Sequence, residues 1–527
     1  MRDSFIHEML DNPILVKHAR SRLRPQALAS GVAVVLILCL CIAWAGIQSS
    51  LFQNGGAFGF YLCLQAVILV VMGGSQAGVA VSQAKSSGIL DFHRVSPVSS
   101  SALVLGFFFG APIREYVLFA VTLPFSILCV AFGEPSFRGF IQIMIALILI
   151  AWLVHGLALL NGLLMRSFRG SMGILGAAGV FFLFLGAPLL FATSRASALV
   201  EMDARLGFYG LSLPWLAVVL IVSAPILALL FLASRRKMES DLNHPLSKPQ
   251  ALAAIVVIGA ILMGVFWRGQ IGQIGQIGPS TSSDSDELLA LKIALLYLMA
   301  VVGLIAATMV TPNRAEYLKG LWRARKHGVK KLSAWHDLSL NRVFLVAAGL
   351  AILVVASIAA SQVDRSNGPR YANPGSFSLA TAATVITVGY MGLALQFFLL
   401  QFGRRGTTYF VLFLFIVWLL PLLVGAILAA GPNGNAGESA AILSLNLSPI
   451  FGIGYLAAPS TNSISQSAQL MAQVFAFTPG ALFLFVFGSL LSMAQRGANH
   501  AFRRSLGGAE ADSRALVVPS LLDPAQA

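Results

Sequence analysis

Charged residues are scarce in this chain. Of its 527 residues, 35 are Lys or Arg and 20 are Asp or Glu, so that only 10% are charged. Soluble domains carry about 25% charged residues, and a soluble fold of this length would lack polar surface. Hydrophobic residues make up 57% of the chain, with 49 glycines in addition. These proportions exclude a soluble globular domain, a disordered chain and a disulfide scaffold, and they indicate a protein that lies mostly in lipid.

Cysteine is rare as well. The four cysteines, Cys39, Cys41, Cys63 and Cys129, all lie in apolar stretches, where disulfides and zinc sites are unusual. The chain also shows no metal-ligand spacing, no nucleophile–base arrangement and no pair of carboxylates with catalytic spacing. We therefore expect the cysteines to act as small apolar residues, and we expect the chain to bind no metal or cofactor.

Long apolar runs, by contrast, are abundant. A membrane-spanning helix needs about 20 mostly apolar residues, and twelve stretches meet this requirement. None alternates with a sustained period of two, which disfavours a β-barrel and leaves α-helices. The expected fold is an all-α polytopic membrane protein with about twelve transmembrane helices. The predicted spans are 27–47, 57–82, 113–133, 139–163, 172–192, 214–233, 250–267, 288–310, 342–361, 377–402, 407–429 and 471–493.

The basic residues predict the orientation of these spans. With a cytoplasmic N-terminus, the inside segments hold 27 Lys and Arg residues and the outside segments hold 7. Cytoplasmic loops carry such an excess, so we expect both termini in the cytoplasm, with the protein in a bacterial inner membrane. The net charge of +15 is then a topogenic feature that faces anionic lipids, and it is not evidence for nucleic acid binding.

The layout of the chain repeats once, as six spans plus six. In each half a basic inside segment follows the second span, and a very short basic turn joins the fourth and fifth spans. Such repeats are common in transporters, although any chain with twelve spans can be divided into sixes. The predicted divisions are an N-terminal amphipathic helix at 1–26, a first membrane half at 27–233, a linker at 234–249, a second half at 250–493 and a cytoplasmic tail at 494–527.

The segment before the first span predicts an amphipathic helix. Asn12 can cap a helix that begins at Pro13, where the missing N–H costs nothing. Its apolar residues share one face, and they are Ile14, Leu15, Ala19 and Leu23. Its basic residues lie off that face, and they are Lys17, Arg20 and Arg24. Such a helix is expected to rest in the inner leaflet with its apolar face in lipid, unless the segment is only a topogenic basic patch.

The segment after the second span predicts a helix, a break and a new helix. Gly88 is expected to end a helical run, and Ser96 before Pro97 favours extended backbone. Ser99 or Ser100 can then cap the helix that leads into the third span.

These two segments resemble the ABC-2 type permeases, the membrane subunits of ATP-binding-cassette exporters. The opening NPILVKHARSRLR is similar to the family pattern NP-x-x-x-(K/R)-x-x-R-x-R. The stretch 82–107 resembles the family's G-T-L…(S/T)-P-(L/V)-S…G-K pattern. The matching residues are Gly88, Leu90, Ser96, Pro97, Ser99 and Gly106. The chain departs from the pattern at Ile89, at Phe107 and in lacking an acidic residue before Gly88. The resemblance covers the first 110 residues, and beyond them only the layout matches.

The resemblance implies an exporter's membrane part whose N-terminal helix and post-span-two segment meet a cytoplasmic ATPase subunit. The chain has no G-x-x-x-x-G-K-(S/T) loop to hold phosphates, so a partner would have to consume the ATP. One chain with two sets of six spans could form the whole membrane unit, and its oligomeric state stays open. The implied ATPase-coupling residues are Asn12, Pro13, Lys17, Arg20, Arg24, Gly88, Leu90, Asp91, Ser96, Pro97, Gly106, Arg323, Arg325 and Lys326.

Three further features have two interpretations each. Arg114 and Glu115 lie near the inner end of the third span, where we expect them to snorkel to the headgroups in preference to forming a substrate or proton site. Adjacent residues do not face each other on a helix, so an internal pair is not implied. His155 is expected to be a hydrogen-bonded buried imidazole, in preference to a relay or ligand. The basic segment 311–341 predicts a helix from Arg314, either for ATPase docking or for binding anionic lipid.

Two other function classes remain open. An ion- or proton-coupled carrier would need buried acids or histidines in several spans, and the sequence offers Glu115 and His155. A non-transporting membrane scaffold or enzyme would be expected to place acids or histidines in its outside loops, which are short and mostly uncharged. The expected substrate of an exporter is apolar or amphipathic, because the predicted spans are mainly apolar.

Overall fold

The computed structural model describes residues 12–48, 56–132, 136–164, 205–240, 243–265, 284–329, 332–364, 374–430, 440, 442–457 and 466–517. The chain forms two compact units, with the boundary after Pro245. Each unit is described by itself below.

The first unit is built from helices and one short hairpin. Its elements in chain order are α1 (Pro13–Arg22), α2 (Pro25–Gln48), α3 (Gly56–Ala66), a π-helical turn (Val67–Met72), α4 (Gly73–Ser86), α5 (Ile89–Val95), α6 (Ser100–Gly110), α7 (Ile113–Ala131), α8 (Phe137–Leu164), β1 (Arg205–Phe208), β2 (Leu211–Pro214) and α9 (Trp215–Glu239).

Small residues set the closest helix contact of this unit, between α4 and α8. A Cβ atom on Gly162 would lie 2.5 Å from the backbone oxygen of Gly78, and one on Gly74 would lie 2.7 Å from a methyl group of Val154. Membrane helices pack through such small residues, because the backbones can then approach closely and gain van der Waals contact. This packing holds the C-terminal end of α4 against α8. The segment after the second span begins at that end of α4.

The hairpin is an addition that the all-helical prediction did not include. Strands β1 and β2 pair in antiparallel register, with Phe208 opposite Leu211. The two residues between the strands, Tyr209 and Gly210, both have positive φ, 52° and 79°. This pattern is typical of the two-residue turn whose twist matches that of the strands.

In its described residues the second unit contains helices and no strand. Its elements in chain order are α10 (Lys248–Val265), α11 (Asp284–Val310), α12 (Arg314–Lys326), α13 (Arg342–Asp364), α14 (Pro374–Phe402), a 3₁₀ turn (Gly403–Arg405), α15 (Gly406–Leu414), a π-helical turn (Phe415–Leu419), α16 (Leu420–Ala430), α17 (Pro449–Ala457) and α18 (Gln466–Val517).

The predicted membrane class is confirmed. About 88% of the described residues are helical, and eight of their helices are long and apolar enough to cross a bilayer. These eight coincide with eight of the twelve predicted spans. Three further predicted spans correspond to the shorter apolar helices α10 and α13 and to α11, which forms a bent pair with α12. The span at 172–192 lies outside the described residues, so twelve spans and the six-plus-six layout stay predictions.

Candidate functional site

The N-terminal segment forms the capped helix that its sequence predicts. The Oδ1 atom of Asn12 accepts hydrogen bonds from the backbone N–H groups of Ile14, at 3.0 Å, and Leu15, at 3.3 Å. Pro13 occupies the first helical position, where its fixed φ suits the helix and no donor is lost. The cap confirms the expected start of α1.

Part of the apolar face of α1 contacts protein, which the sequence did not predict, and this part comprises Ile14 and Leu15. Asn12 is buried, and its Nδ2 donates to the backbone oxygen of Ala102 on α6 at 2.6 Å. A Cβ atom on Gly106 would lie 2.8 Å from both Asn12 Oδ1 and Ile14 Cβ. One on Gly110 would lie 3.2 Å from the Cα of Leu15. Two glycines four residues apart therefore form a flat track on α6, and α1 packs on it.

The basic residues of α1 divide into two groups. Lys17, Arg20 and Arg24 are exposed, as the amphipathic pattern predicts. Arg22 points inward and donates a hydrogen bond to the side-chain oxygen of Gln76 on α4. Burial lowers the pKa of Arg22, and the negative charge of Glu115 opposes this shift. The C-terminal end of α1 is thus bound to α4 and lies in the field of a carboxylate on α7.

The expectation that Arg114 and Glu115 snorkel separately to the headgroups is wrong. The Oε1 atom of Glu115 accepts hydrogen bonds from Arg114, at 2.8 Å from Nη2 and 3.2 Å from Nε. The Glu115 side chain is 0% exposed and that of Arg114 is 29% exposed. The long arginine side chain folds back along α7 and reaches its neighbour, which the rule for adjacent helix residues does not anticipate. Glu115 is a buried carboxylate, placed favourably at the N-terminal turn of α7.

The segment after the second span has the predicted break and cap. Gly88 has a φ of +76° and separates α4 from α5, a conformation that glycine adopts without strain. Ser96 is extended before Pro97, and the hydroxyl of Ser99 accepts a hydrogen bond from the N–H of Ala102 at 3.1 Å. Leu90 is buried in a cluster with residues of α4, α6 and α8. The short helix α5 is therefore fixed at both ends and by its one buried side chain.

Two basic residues of this segment cap the ends of other helices. Arg94 donates from Nε to the carbonyl of Met238 and from Nη2 to that of Lys237, each at 3.0 Å, in the last turn of α9. Lys85 donates to the carbonyl of Leu163 in the last turn of α8. The last carbonyls of a helix have no partner within the helix, and a cation there also suits the helix dipole. Sequence reasoning treated both residues as topogenic charges and missed this role.

The outer face of α5 is apolar and exposed. Phe92 is 68% exposed and Val95 is 83% exposed, while Asp91 forms an ion pair with Arg94 at 2.6 Å. His93 has its pKa lowered by burial and by the nearby Lys17 of α1. The exposed face of α5 and the basic face of α1 belong to two helices whose buried residues, Leu90 and Ile14, share one hydrophobic cluster. We call them together the α1/α5 surface, which comprises Lys17, Arg20, Ile89, Phe92 and Val95.

The predicted coupling residues of the second half lie on α12, within the second unit. Asn313 caps this helix, and Glu316 completes a capping box by accepting a hydrogen bond from the Asn313 N–H at 2.9 Å. Arg323, Arg325 and Lys326 are exposed, whereas Tyr317 on the opposite side is buried.

A buried lysine that the sequence did not single out anchors the loop after α12. Lys248, the first residue of α10, is fully buried. Its Nζ donates to the carbonyl of Ser339 at 2.9 Å and to its hydroxyl at 2.6 Å, with the carbonyls of Ala334 and Leu340 at 3.0 and 3.2 Å. The only signal in the sequence is Lys248 followed by Pro249 at the start of an apolar run. Nothing in that signal indicates which carbonyls the ammonium group binds.

His155 has the hydrogen bonds expected of a buried imidazole. Its Nε2 lies 2.9 Å from the backbone oxygen of Leu69 in the π-helical turn, and its Nδ1 lies 3.2 Å from the hydroxyl of Tyr116. A carbonyl can only accept, so Nε2 carries the proton and the tyrosine hydroxyl donates to Nδ1. Both ring nitrogens are satisfied. Among the described residues, no group of three or more His, Cys, Asp or Glu side chains is placed to hold a metal ion.

Acidification is expected to loosen α1. Burial against α6, with Arg22 and Lys17 nearby, lowers the pKa of His18 from 6.5 to about 4. The unfolded segment therefore binds a proton that the packed one does not, and stability falls as the pH drops from about 6.5 towards 4. Trypsin itself loses activity in acid, so its rate at Arg20 is divided at each pH by its rate on an unfolded peptide of the same sequence. This ratio should rise over the range in the wild type. The variant His18→Gln should show a flatter profile, and His500→Gln, at an exposed position in the second unit, should keep the wild-type one. An unchanged profile in His18→Gln would contradict the assignment.

Comparisons of the chain with protein-family models, with curated protein sequences and with solved structures each found no match.

Proposed function

We propose that this chain is the membrane permease of an ATP-binding-cassette exporter and that a separate subunit supplies the ATPase. One observation carries the proposal. The two segments that resemble ABC-2 permeases are about 70 residues apart in the sequence, yet Ile14 of α1 and Leu90 of α5 belong to one buried hydrophobic cluster. A surface with an exposed phenylalanine and valine beside lysine and arginine is suited to docking a cytoplasmic protein.

The contacts behind this surface support a role in transmitting motion. A partner that moves α5 would act on α9 through Arg94 and, through the adjoining Lys85, on α8. A partner that moves α1 would act on α6 through Asn12 and Gly106, and on α4 through Arg22. Packed helices and hydrogen bonds of this kind transmit displacement because they do not deform continuously. ATP-driven motion of the partner would thus reach four helices of the first unit.

A proton- or ion-coupled carrier is the weaker alternative. The buried Glu115 is the residue that such a mechanism would use, and Arg114 already neutralises it at 2.8 Å. His155 has both ring nitrogens engaged. A substrate of the exporter is expected to be apolar or amphipathic, since the candidate spans are mainly apolar.

Co-purification tests the proposed function. The full-length chain, purified from its native membranes, should bring an ABC ATPase with it and hydrolyse ATP. Phe92→Glu places a charge on the exposed apolar face of α5 and should reduce the recovered ATPase at least about tenfold. Gln83→Glu adds the same charge at an exposed position on α4 and should leave recovery unchanged. Absence of any ATPase from the wild-type preparation, even after chemical cross-linking, would refute the proposal.

A further inference from the structure

The helix α12 of the second unit departs sharply from the helix before it. The axes of 295–310 and 314–326 differ by 56°. On its inner side, the hydroxyl of Tyr317 donates to Asn499 Oδ1 at 3.1 Å. A Cβ atom on Gly320 would lie 2.8 Å from the Cβ of Leu338. The side of α12 that carries Tyr317 and Gly320 is therefore packed against protein.

The contacts between α12 and α18 show which way α12 runs. Tyr317 contacts Gln495 and Asn499, and Trp322, five residues further on, packs edge-to-face on Phe502 with ring centroids 5.2 Å apart. The contact points advance together along both helices. The helix α12 therefore runs alongside α18 in the same direction, away from the apolar part of α18.

The height of this contact above the bilayer follows from the length of α18. The apolar span predicted in this helix ends near Met493. The guanidinium of Arg342 lies at the same level along the helix, since it donates a hydrogen bond to Ser492 Oγ at 2.9 Å. With a rise of about 1.5 Å per residue, Phe502 lies about 13 Å further along the helix. The headgroup layer on one side of a bilayer is only about 5–8 Å thick. Trp322 therefore lies about 5–8 Å past the headgroups. Arg325 and Lys326, three and four residues further along α12, lie about 5 Å beyond Trp322, and so more than about 8 Å past the headgroups.

This end of α12 is strongly basic. Residues 314–326 and 494–505 together hold eight Lys and Arg residues and one acidic residue, Glu316, which serves the capping box. Five of these cations are exposed and lie beyond the level of Trp322 and Phe502. They form what we call the basic tip, and they are Arg323, Arg325, Lys326, Arg503 and Arg504.

We propose that the basic tip binds an acidic surface of a soluble protein rather than the anionic lipid of the adjacent leaflet. The proposal rests on the distance between the basic tip and the lipid headgroups. The attraction of a basic segment to anionic lipid falls off within about one Debye length, roughly 8 Å at physiological salt. Charge complementarity then specifies the partner as acidic. If that partner is the ATPase, this inference deepens the proposed function and rests on that function.

A labelled polyanion tests the charge preference. The full-length chain in phosphatidylcholine nanodiscs should bind fluorescein-labelled poly-L-glutamate, with an affinity that falls as salt is raised. The triple substitution Arg323→Glu, Arg325→Glu and Lys326→Glu should weaken binding at least about tenfold. The matched substitution Arg138→Glu, Arg235→Glu and Arg405→Glu makes the same change in net charge at exposed positions outside both named surfaces and should weaken it less than about twofold. Equal losses would mean that only net charge matters, and they would overturn the proposal.

A depth measurement tests the height without relying on a triple variant. A fluorescent amino acid in place of Arg325 is measured in phosphatidylglycerol vesicles. Iodide in the water should quench it, and nitroxides on the lipid headgroups should not. Quenching by the headgroup nitroxides would overturn the inference even if an ATPase co-purifies. If no ATPase co-purifies with the chain but polyglutamate still binds, the proposed function is refuted and this inference is not.

Discussion

The substitution Gly106→Leu is expected to detach α1 from α6 and to uncouple the chain from its partner. A Cβ atom at this position would lie 2.8 Å from Asn12 Oδ1 and from Ile14 Cβ. Neither atom is the far end of a flexible side chain, because Asn12 is held by three hydrogen bonds and Ile14 Cβ is next to the backbone. Overpacking of this kind costs about 1–3 kcal/mol, and loss of the buried bond from Asn12 to Ala102 adds about 1 kcal/mol or more.

Two measurements check this result. Trypsin cleavage at Arg20 should accelerate at least about tenfold, and ATPase recovered with the purified chain should fall to background. Gly59→Leu is the matched control, since it places the same side chain on α3 at a position with no atom within 4 Å. It should leave both measurements unchanged. Equal cleavage rates for the two variants would show that α1 is not held by the glycine track.

The substitution Glu115→Leu is expected to destabilise the first unit by about 3 kcal/mol. Removing one partner of a buried ion pair costs about 3–5 kcal/mol, because the other charge is left uncompensated. The lower end applies here because Arg114 is 29% exposed and can turn to water. Arg22 on α1 also loses the carboxylate that opposes its desolvation. Thermal unfolding of the purified chain in detergent measures the change.

The same structure supplies a control pair of identical chemistry. Asp91 and Arg94 are as close as Arg114 and Glu115, but the aspartate side chain is 71% exposed. Exposed ion pairs contribute about 0–1 kcal/mol, so Asp91→Leu should have a small effect. The double substitution Arg114→Met with Glu115→Leu should recover part of the stability, since no buried charge is left. Equal losses for Asp91→Leu and Glu115→Leu would contradict the buried-pair assignment.

Local signals in the sequence predicted local structure well. Asn12 before Pro13, Gly88, and Ser96-Pro97 with Ser99 each indicated a cap or a break that the structure contains. Each of these features depends on the backbone conformation of neighbouring residues, which can be predicted from the local sequence. The packing of α1 could not be predicted in this way, because the two glycines of α6 that contact α1 lie about 90 residues away along the chain.

The scarcity of charge and the abundance of apolar runs determined, by themselves, that this is a polytopic helical membrane protein. Burial in lipid depends only on composition over about 20 residues, and composition can be read directly from the sequence.

The sequence could not predict which groups each lysine or arginine binds. Lys85, Arg94 and Lys248 were counted as inside charges, and the tertiary structure places each on backbone carbonyls of distant segments. Hydrogen bonds depend on a few ångströms of separation in space, and only the packed helices decide which carbonyl a given cation can reach.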